Sequence, residues 1–217
     1  MRTKIIIARH GNTFRPGEIP TRVGAKTDLP LVEEERGKSI GLYLKDHGVV
    51  PHKIYSSPLK RCLETAVLAL NAMNIEMDIS ILNRFTEIDY GIDENKTEEE
   101  VMLRLGNGNI EKGKGIIDEW NKKAIVPDGW KADPQQIIKT WEDFAEKEVP
   151  LHQTVLLVAS NGIIRFAPCL TGNFEQFSRE YDLKVATGGL CIFEKEENEP
   201  FWTCTAWNIK PYKLYPE

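Results

Sequence analysis

An arginine and a histidine stand together where an apolar run ends near the start of the chain. Arg9 and His10 follow residues 5–8, which read Ile-Ile-Ile-Ala. Such a run predicts a buried strand of a parallel sheet, and ligands bind beyond the carboxyl ends of these strands. A guanidinium matches the oxygens of a phosphate or carboxylate, and a fixed neutral imidazole can act as a nucleophile. The pair alone is typical of an ordinary polar strand end, and it predicts an anion-binding site with a nucleophile only because later segments supply matching groups.

Two later segments carry groups of matching chemistry. Arg61 falls in the first turn of a helix predicted over residues 58–73, with Ser57 as N-cap and Pro58 at the first helical position. There its side chain and the free N–H groups of the helix start could converge on one anion. Glu87 lies in a polar loop, and a carboxylic acid beside a phosphate pocket can donate a proton to a leaving oxygen.

Further candidate contacts follow two predicted strands. Ser160 and Asn161 come directly after the buried run of residues 154–159 and precede a helical stretch, an order typical of anion sites. A long polar loop, residues 14–30, follows the first strand, and such loops are often functional. Its cations within reach of an anionic ligand are Arg15, Arg22 and Lys26. We take Asn12, Arg22, Ser160 and Asn161 as candidate substrate contacts.

The rest of the chain alternates strand and helix patterns, which predicts an α/β fold. Strands are predicted at residues 53–56, 75–79, 154–159, 189–194 and 201–206, and helices at residues 32–47, 58–73 and 134–149. Residues 92–132 are charged and rich in glycine, with short helices predicted at 97–105 and 116–123. We interpret this segment as an insertion that partly covers the site within a single domain, residues 1–217, because it has too few apolar residues for its own core.

Composition narrows the classes of partner. The net charge of −5 argues against nucleic acid, and no stretch is long and apolar enough to cross a membrane. The first apolar run is too short for a signal-peptide core, so a cytoplasmic location is expected. The four cysteines lack zinc-ligand spacing, and we expect neither a metal nor a cofactor. The oligomeric state is open.

Five segments, in order, resemble the motifs of the histidine phosphatase superfamily, which has the phosphoglycerate mutase-like fold. The resemblance spans roughly residues 4–170 and implies a three-layer α/β/α sandwich with a mostly parallel central sheet. The segments are Arg9-His10-Gly11, Asp28-Leu29-Pro30-Leu31 with Gly37, Ser57-Pro58-Leu59-Lys60-Arg61 with Thr65-Ala66, Glu87-Ile88-Asp89-Tyr90-Gly91 with Thr97 and Glu100, and Val158-Ala159-Ser160-Asn161-Gly162-Ile163-Ile164-Arg165.

The resemblance also implies a role for each motif residue. His10 is the expected nucleophile, which forms a phosphohistidine, and Arg9 and Arg61 bind the phosphoryl oxygens. Glu87 protonates the leaving oxygen and later deprotonates the attacking water. Phosphoryl transfer needs mainly positioning and charge stabilisation from the protein, which guanidinium groups supply without a metal.

One position departs from the family pattern: the second histidine of the superfamily falls on Ser160. Losing a charged donor to a transferring phosphoryl group costs on the order of 3 kcal/mol, or about a hundredfold in rate. Three functions therefore stay open: a phosphomonoesterase acting on a small phosphorylated metabolite, a phosphoglycerate mutase, and a non-catalytic protein that binds phosphate. Val23 argues against the mutase because it offers no hydroxyl where mutases bind substrate.

Overall fold

Six strands form one sheet in the computed structural model, which describes residues 2–215. They are β1 (Thr3–Arg9), β2 (Lys53–Ser56), β3 (Ile79–Ile81), β4 (Thr154–Ala159), β5 (Leu190–Lys195) and β6 (Thr203–Ile209), in the spatial order β3-β2-β4-β1-β5-β6. The first four in that spatial order run parallel, whereas β5 is antiparallel to β1 and β6 is antiparallel to β5. The mostly parallel sheet predicted from the apolar runs is confirmed.

Helices cover both faces of this sheet. They are α1 (Glu35–Asp46), α2 (Lys60–Met73), α3 (Glu98–Leu105), α4 (Ile110–Lys123), α5 (Pro134–Lys147), α6 (Asn161–Ile164) and α7 (Phe174–Glu180). Alternate residues of β1 and β4 point to opposite faces, so one core cluster joins the sheet to α1 and α2 and the other joins it to α4, α5 and α7. These three layers are the predicted architecture. No helix among residues 2–215 has the length and apolar character that a membrane span requires.

The start of α2 differs from the sequence prediction. The helix begins at Lys60 rather than Pro58, and Ser57 does not cap it. The Ser57 hydroxyl accepts only a long hydrogen bond from the Leu59 N–H, at 3.4 Å. Instead, the Asp28 carboxylate accepts from the Lys60 N–H at 2.8 Å. A loop residue distant in sequence thus satisfies a free donor of the helix start. Arg61 still falls in the first turn, as predicted.

Two other boundaries were predicted wrongly. The third strand lies at residues 79–81, because α2 ends on Asn74 in a left-handed conformation and Ile75 still closes that helix through its N–H to the Leu70 carbonyl. Helix α4 begins at Ile110 rather than residue 116, since the Asn109 side chain caps it by accepting from the Lys112 N–H at 3.0 Å. In both cases an asparagine at the end of a helix, rather than the apolar pattern, sets the boundary.

Residues 92–132 contain α3 and α4. A capping box begins α3, with the Thr97 and Glu100 side chains each accepting from the backbone N–H of the other residue. Trp120 and Ile117 of α4 are buried in the same core cluster as β1 and β4. Because this segment shares its core with the sheet, we infer that it is an insertion within one domain.

Candidate active site

The carboxyl ends of β1, β2 and β4 bring three polar segments to one edge of the sheet. The His10 N–H donates to the Ala159 carbonyl at 3.2 Å, and the Ser57 N–H donates to the Val158 carbonyl at 3.0 Å. His10, Ser57 and Ser160 therefore leave adjacent strands side by side. This placement follows from the parallel register, in which Arg9 pairs with Ala159.

His10 is held in one orientation and in its neutral form. Its side chain is almost fully buried, at 6 % exposure, and Nδ1 lies 2.7 Å from the Gly11 carbonyl oxygen. Because a carbonyl can only accept, Nδ1 carries the proton and Nε2 keeps a free electron pair. Burial holds the pKa of His10 well below its usual value, and the positive charges of Arg9 and Arg61 lower it further. The imidazole is therefore neutral and keeps the free electron pair that a nucleophile requires.

Arg9 places an unsatisfied donor beside this histidine. One terminal nitrogen of its guanidinium donates to the Val185 carbonyl at 2.5 Å, whereas Nε is shielded from solvent and has no partner among residues 2–215. Burial lowers the pKa of Arg9, and the nearby Glu87 carboxylate opposes that shift. A buried donor without a partner costs about 1–3 kcal/mol, so this site favours an acceptor that the free protein lacks.

Arg61 has the same feature and is fully buried. Its terminal nitrogens donate to the carbonyl of Thr27 at 2.8 Å and to the carbonyls of Val23 and Gly24, both at 3.3 Å. Its Nε has no partner within the described chain. Both arginines that act on the pKa of His10 thus carry an unpaired Nε–H, and an oxyanion is the group that satisfies two such donors.

Glu87 is a buried carboxylate anchored by backbone N–H groups. One oxygen, Oε2, accepts from the Gly162 N–H at 3.0 Å, and Oε1 accepts from the Ile88 N–H at 2.9 Å. A Cβ atom at residue 162 would lie 2.3 Å from Oε1, so only glycine allows this approach. The start of α6 therefore fixes the carboxylate near Arg9.

Ser160 and Asn161 lie at the end of β4 but use their side chains differently. Ser160 is fully buried, and its hydroxyl oxygen lies 3.7 Å from the Cys62 sulfur. Burial raises the pKa of Cys62 to about 11, so the thiol is neutral. The Asn161 amide oxygen accepts from the Val185 N–H at 2.9 Å, which fixes the segment that also binds Arg9.

Asn12 and Arg22 have structural partners of their own. The Asn12 amide oxygen accepts from the Thr187 hydroxyl at 2.6 Å. Arg22 pairs with Glu98, and its guanidinium carbon lies 4.6 Å from the centre of the Trp130 ring. It also lies 5.4 Å from the centre of the Tyr90 ring. The Nε of Arg22, like those of Arg9 and Arg61, is buried and has no partner among the described residues.

The other two cations of the long loop lie away from these contacts. Arg15 is exposed, and its backbone N–H donates to the Glu18 carboxylate at 2.6 Å. Lys26 is exposed and pairs with Asp89 at 3.0 Å. Of these three loop cations, only Arg22 is half-buried and contacts buried aromatic rings.

Several groups that build the site have no role assigned from the sequence. The Thr65 hydroxyl accepts from the Gly11 N–H at 3.0 Å and donates to the Arg61 carbonyl at 2.6 Å. Its position one helical turn after Arg61 is a usable signal, because residues four apart share a helix face. Residues 185–188 also wall the site, and the Gly188 N–H donates to the carbonyls of Arg9 and His10. No local pattern marks that segment.

Arg165 is a third buried cation that the sequence did not single out for a role. It is 2 % exposed, donates to the Trp120 carbonyl at 2.8 Å and lies 3.8 Å from the centre of the Trp120 ring. Burial lowers its pKa to about 10, and the charge of Glu87 opposes this shift. Together with Arg9 and Arg61, Arg165 makes the charge of the buried site mainly positive.

Within residues 2–215, no group of three or more His, Cys, Asp or Glu side chains is arranged to hold a metal ion.

Comparison with known proteins identifies the family. A sequence profile of the histidine phosphatase superfamily (branch 1) matches residues 5–210. A 2,3-bisphosphoglycerate-dependent phosphoglycerate mutase of Nocardia farcinica is 25 % identical over 194 residues, covering 79 % of this chain and 77 % of the mutase. Because the profile spans more than half of the chain, the chain belongs to the histidine phosphatase superfamily.

Solved structures agree on the fold. The phosphoglycerate mutase of Bacillus anthracis superposes with a TM-score of 0.76 at 20 % identity, covering 98 % of this chain and 96 % of that one. A mycobacterial glucosyl-3-phosphoglycerate phosphatase in complex with inorganic phosphate superposes with a TM-score of 0.70 at 19 % identity, covering 96 % and 98 %. The fold is therefore phosphoglycerate mutase-like, as the resemblance implied.

Proposed function

We propose that this protein is a phosphomonoesterase that hydrolyses a small phosphorylated metabolite through a phosphohistidine on His10. One observation carries the proposal: a buried neutral imidazole, with Nδ1 bonded to the Gly11 carbonyl, stands beside two arginines whose buried Nε–H groups lack acceptors. A phosphoryl group supplies those acceptors and the electrophile at once.

The reaction proceeds in two steps. The Nε2 electron pair of His10 forms a bond to phosphorus while the bond to the ester oxygen breaks, and protonated Glu87 gives its proton to the departing oxygen. Glu87, now a carboxylate, then accepts a proton from water as that water attacks phosphorus. The bond between phosphorus and Nε2 breaks, which releases phosphate and restores neutral His10. Arg9 and Arg61 bind the phosphoryl oxygens in both steps.

The charge of the site supports a phosphate ligand. Arg61 and Arg165 are fully buried and Arg9 is half-buried, so these cations outnumber Glu87 whether its side chain is ionised or protonated. Buried cations in excess of buried anions favour an anionic ligand because a dehydrated charge needs a counter-charge. A phosphoryl dianion provides it without any metal or cofactor.

We also propose that Ser160 occupies the place of the family's second histidine and that its presence slows turnover. Its hydroxyl is buried against the neutral Cys62 thiol, so it adds no positive charge. The expected cost is about a hundredfold in rate relative to a site with a charged donor.

A phosphoglycerate mutase is the second candidate, favoured by the similarity to the Nocardia mutase. Val23 argues against it, since its side chain offers no polar group to a phosphoglycerate. A non-catalytic phosphate-binding protein is the third candidate, and Ser160 is the feature that favours it.

Phosphate release from an aryl phosphate between pH 4 and 9 separates these candidates, with His10→Ala as the comparison. Release by the unmodified protein that vanishes in His10→Ala supports the phosphatase. Without release at any pH, an assay for interconversion of phosphoglycerates tests the mutase. Phosphate binding without either activity supports the third candidate.

A further inference from the structure

The carboxylate of Glu94 accepts four hydrogen bonds from residues near Arg61 and Glu87. Oε1 of the half-buried Glu94 accepts from the Gly24 N–H at 2.9 Å, the Lys26 N–H at 3.0 Å and the Thr27 hydroxyl at 2.8 Å. Its Oε2 accepts from the Tyr90 N–H at 3.2 Å. Three of these donors belong to residues 23–27, which we name the clamp loop. Glu94 therefore fixes the clamp loop to the segment that follows Glu87.

The clamp loop in turn fixes Arg61. Its carbonyls at Val23, Gly24 and Thr27 accept from both terminal nitrogens of that guanidinium. Only Nε of Arg61 then has no partner among the described residues. The direction of this free donor thus depends on carbonyls that Glu94 holds in place.

The clamp loop also lies directly against the segment that carries Glu87. The Ala25 N–H donates to the Ile88 carbonyl at 3.0 Å. A Cβ atom at residue 24 would lie 2.4 Å from the Glu94 carboxylate and 2.7 Å from the Ile88 carbonyl oxygen, so the approach requires glycine. Glu94 therefore ties the clamp loop, and through it Arg61, to the segment of Glu87.

We propose that Glu94 is a positioning residue that sets Arg61 for phosphate through the clamp loop. The inference rests on the proposed function, because it takes phosphate as the anion that Arg61 binds. Glu94 itself does not touch phosphate. If the Arg61 guanidinium is misplaced, it loses its charge-assisted hydrogen bond to phosphate. Phosphate affinity therefore depends on Glu94, although Glu94 makes no contact with phosphate.

Two substitutions of Glu94 are expected to weaken phosphate binding to different degrees. Glu94→Gln keeps one oxygen for the three donors of the clamp loop but turns an amide NH₂ toward the Tyr90 N–H. Glu94→Ala removes all four acceptors. We expect phosphate affinity to fall severalfold in Glu94→Gln and at least tenfold in Glu94→Ala, with the conservative variant retaining part of the function.

Asp93 offers a matched control. It is the preceding residue and a buried carboxylate, but it binds Arg104 and the Trp130 indole instead of the clamp loop. Asp93→Asn removes a buried charge from the same segment without touching Arg61. We expect it to lower the melting temperature and to leave phosphate affinity within about twofold of the unmodified protein.

The experiment is titration calorimetry of inorganic phosphate into the full chain and these variants, with melting temperatures measured in parallel. The expected order of affinity is unmodified and Asp93→Asn, then Glu94→Gln, then Glu94→Ala. Equal affinity of Glu94→Ala and the unmodified protein overturns the proposal, and so does an equal loss in Asp93→Asn. If the unmodified protein itself binds no phosphate, the proposed function fails, and this inference fails with it.

A double-mutant cycle shows whether Glu94 acts through Arg61. In an Arg61→Lys background the clamp loop no longer orients a guanidinium, so Glu94→Ala is expected to cost less than half of its effect in the unmodified protein. Equal effects in the two backgrounds contradict the proposal, because a general loss of structure does not depend on residue 61.

Discussion

The inner and outer regions of the site use charge in opposite ways. The inner region, made of Arg9, His10, Arg61 and Glu87, is largely buried, and two of its donors lack partners within the described chain. In the outer region, Lys26 and Arg22 are paired with acidic side chains. Arg9 and Arg61 donate to backbone carbonyls and form no ion pair among the described residues, whereas each outer cation has a counter-charge, although Arg22 also leaves its Nε without a partner within residues 2–215. An anion would therefore give the inner arginines the ion-pair partner that the outer cations already have.

The largest effect is expected from Glu87→Gln, which keeps the shape of the inner region but removes its acid. We expect kcat/KM to fall about 10²–10⁴-fold for an alkyl phosphate and much less for a p-nitrophenyl ester, whose leaving group needs no proton. Since kcat/KM reports the steps through phosphoryl transfer to His10, the later role of Glu87 toward water does not enter. Equal losses with both esters would contradict the assignment.

The next effect tests the proposal that Ser160 stands in the place of the family's second histidine. Ser160 is fully buried against Cys62, so Ser160→His alone overfills the pocket and lowers the free energy of unfolding by about 1–3 kcal/mol. Adding Cys62→Ala makes room for the ring. We expect the double variant to recover stability and to raise kcat/KM up to about a hundredfold. A double variant no faster than the unmodified protein would show that the site does not lack a charged donor.

A direct comparison of two arginines sharpens the contrast between the regions. Arg61→Ala removes a buried guanidinium that has no carboxylate partner among the described residues and whose Nε has no acceptor there, and we expect inorganic phosphate to bind about 10–100-fold more weakly. Arg22→Ala breaks its pair with Glu98 and its ring contacts, so we expect phosphate affinity to stay within about twofold while KM for larger esters changes. Calorimetry and steady-state kinetics measure both. Similar phosphate affinities in the two variants would show that the inner and outer regions do not differ in how they bind phosphate.

The smallest expected effect is on stability against pH. In the unfolded chain His10 protonates as the pH falls below about 6.5, whereas burial keeps it neutral in the fold down to a lower pKa. Its contribution to stability is complete above the unfolded-state pKa and is lost as the pH falls between the two pKa values. His10→Gln should therefore flatten the decline in melting temperature below pH 6.5. An equally steep decline in His10→Gln and in the unmodified protein would contradict this expectation.

The inner region could be predicted because its parts are local in sequence. The run Ile5-Ile6-Ile7-Ala8 marks β1, and the residue types that follow it carry their own chemistry. The buried run of β4 and the helix after Ser57 are visible in the same way. A parallel sheet then brings these strand ends together without further information.

The supports of the site could not be predicted because they join residues far apart in the chain. Asp28 caps α2 from 32 residues away, and Arg9 donates to Val185 across 176 residues. Glu94 reaches the clamp loop across about 70 residues. Such partners depend on how loops fold back over the sheet, which periodicity does not encode. A family resemblance locates motifs, but it does not give these hydrogen bonds.

The most direct test is to trap the intermediate. The protein is mixed with an aryl phosphate, quenched in alkali, which preserves phosphohistidine, and digested for mass spectrometry. We expect a phosphoryl group on His10 in the unmodified protein and none in His10→Ala. If hydrolysis of the intermediate becomes the slower step in Glu87→Gln, more phosphorylated His10 accumulates in that variant. Turnover with no phosphorylated His10, or with the phosphoryl group on another residue, would contradict the central claim.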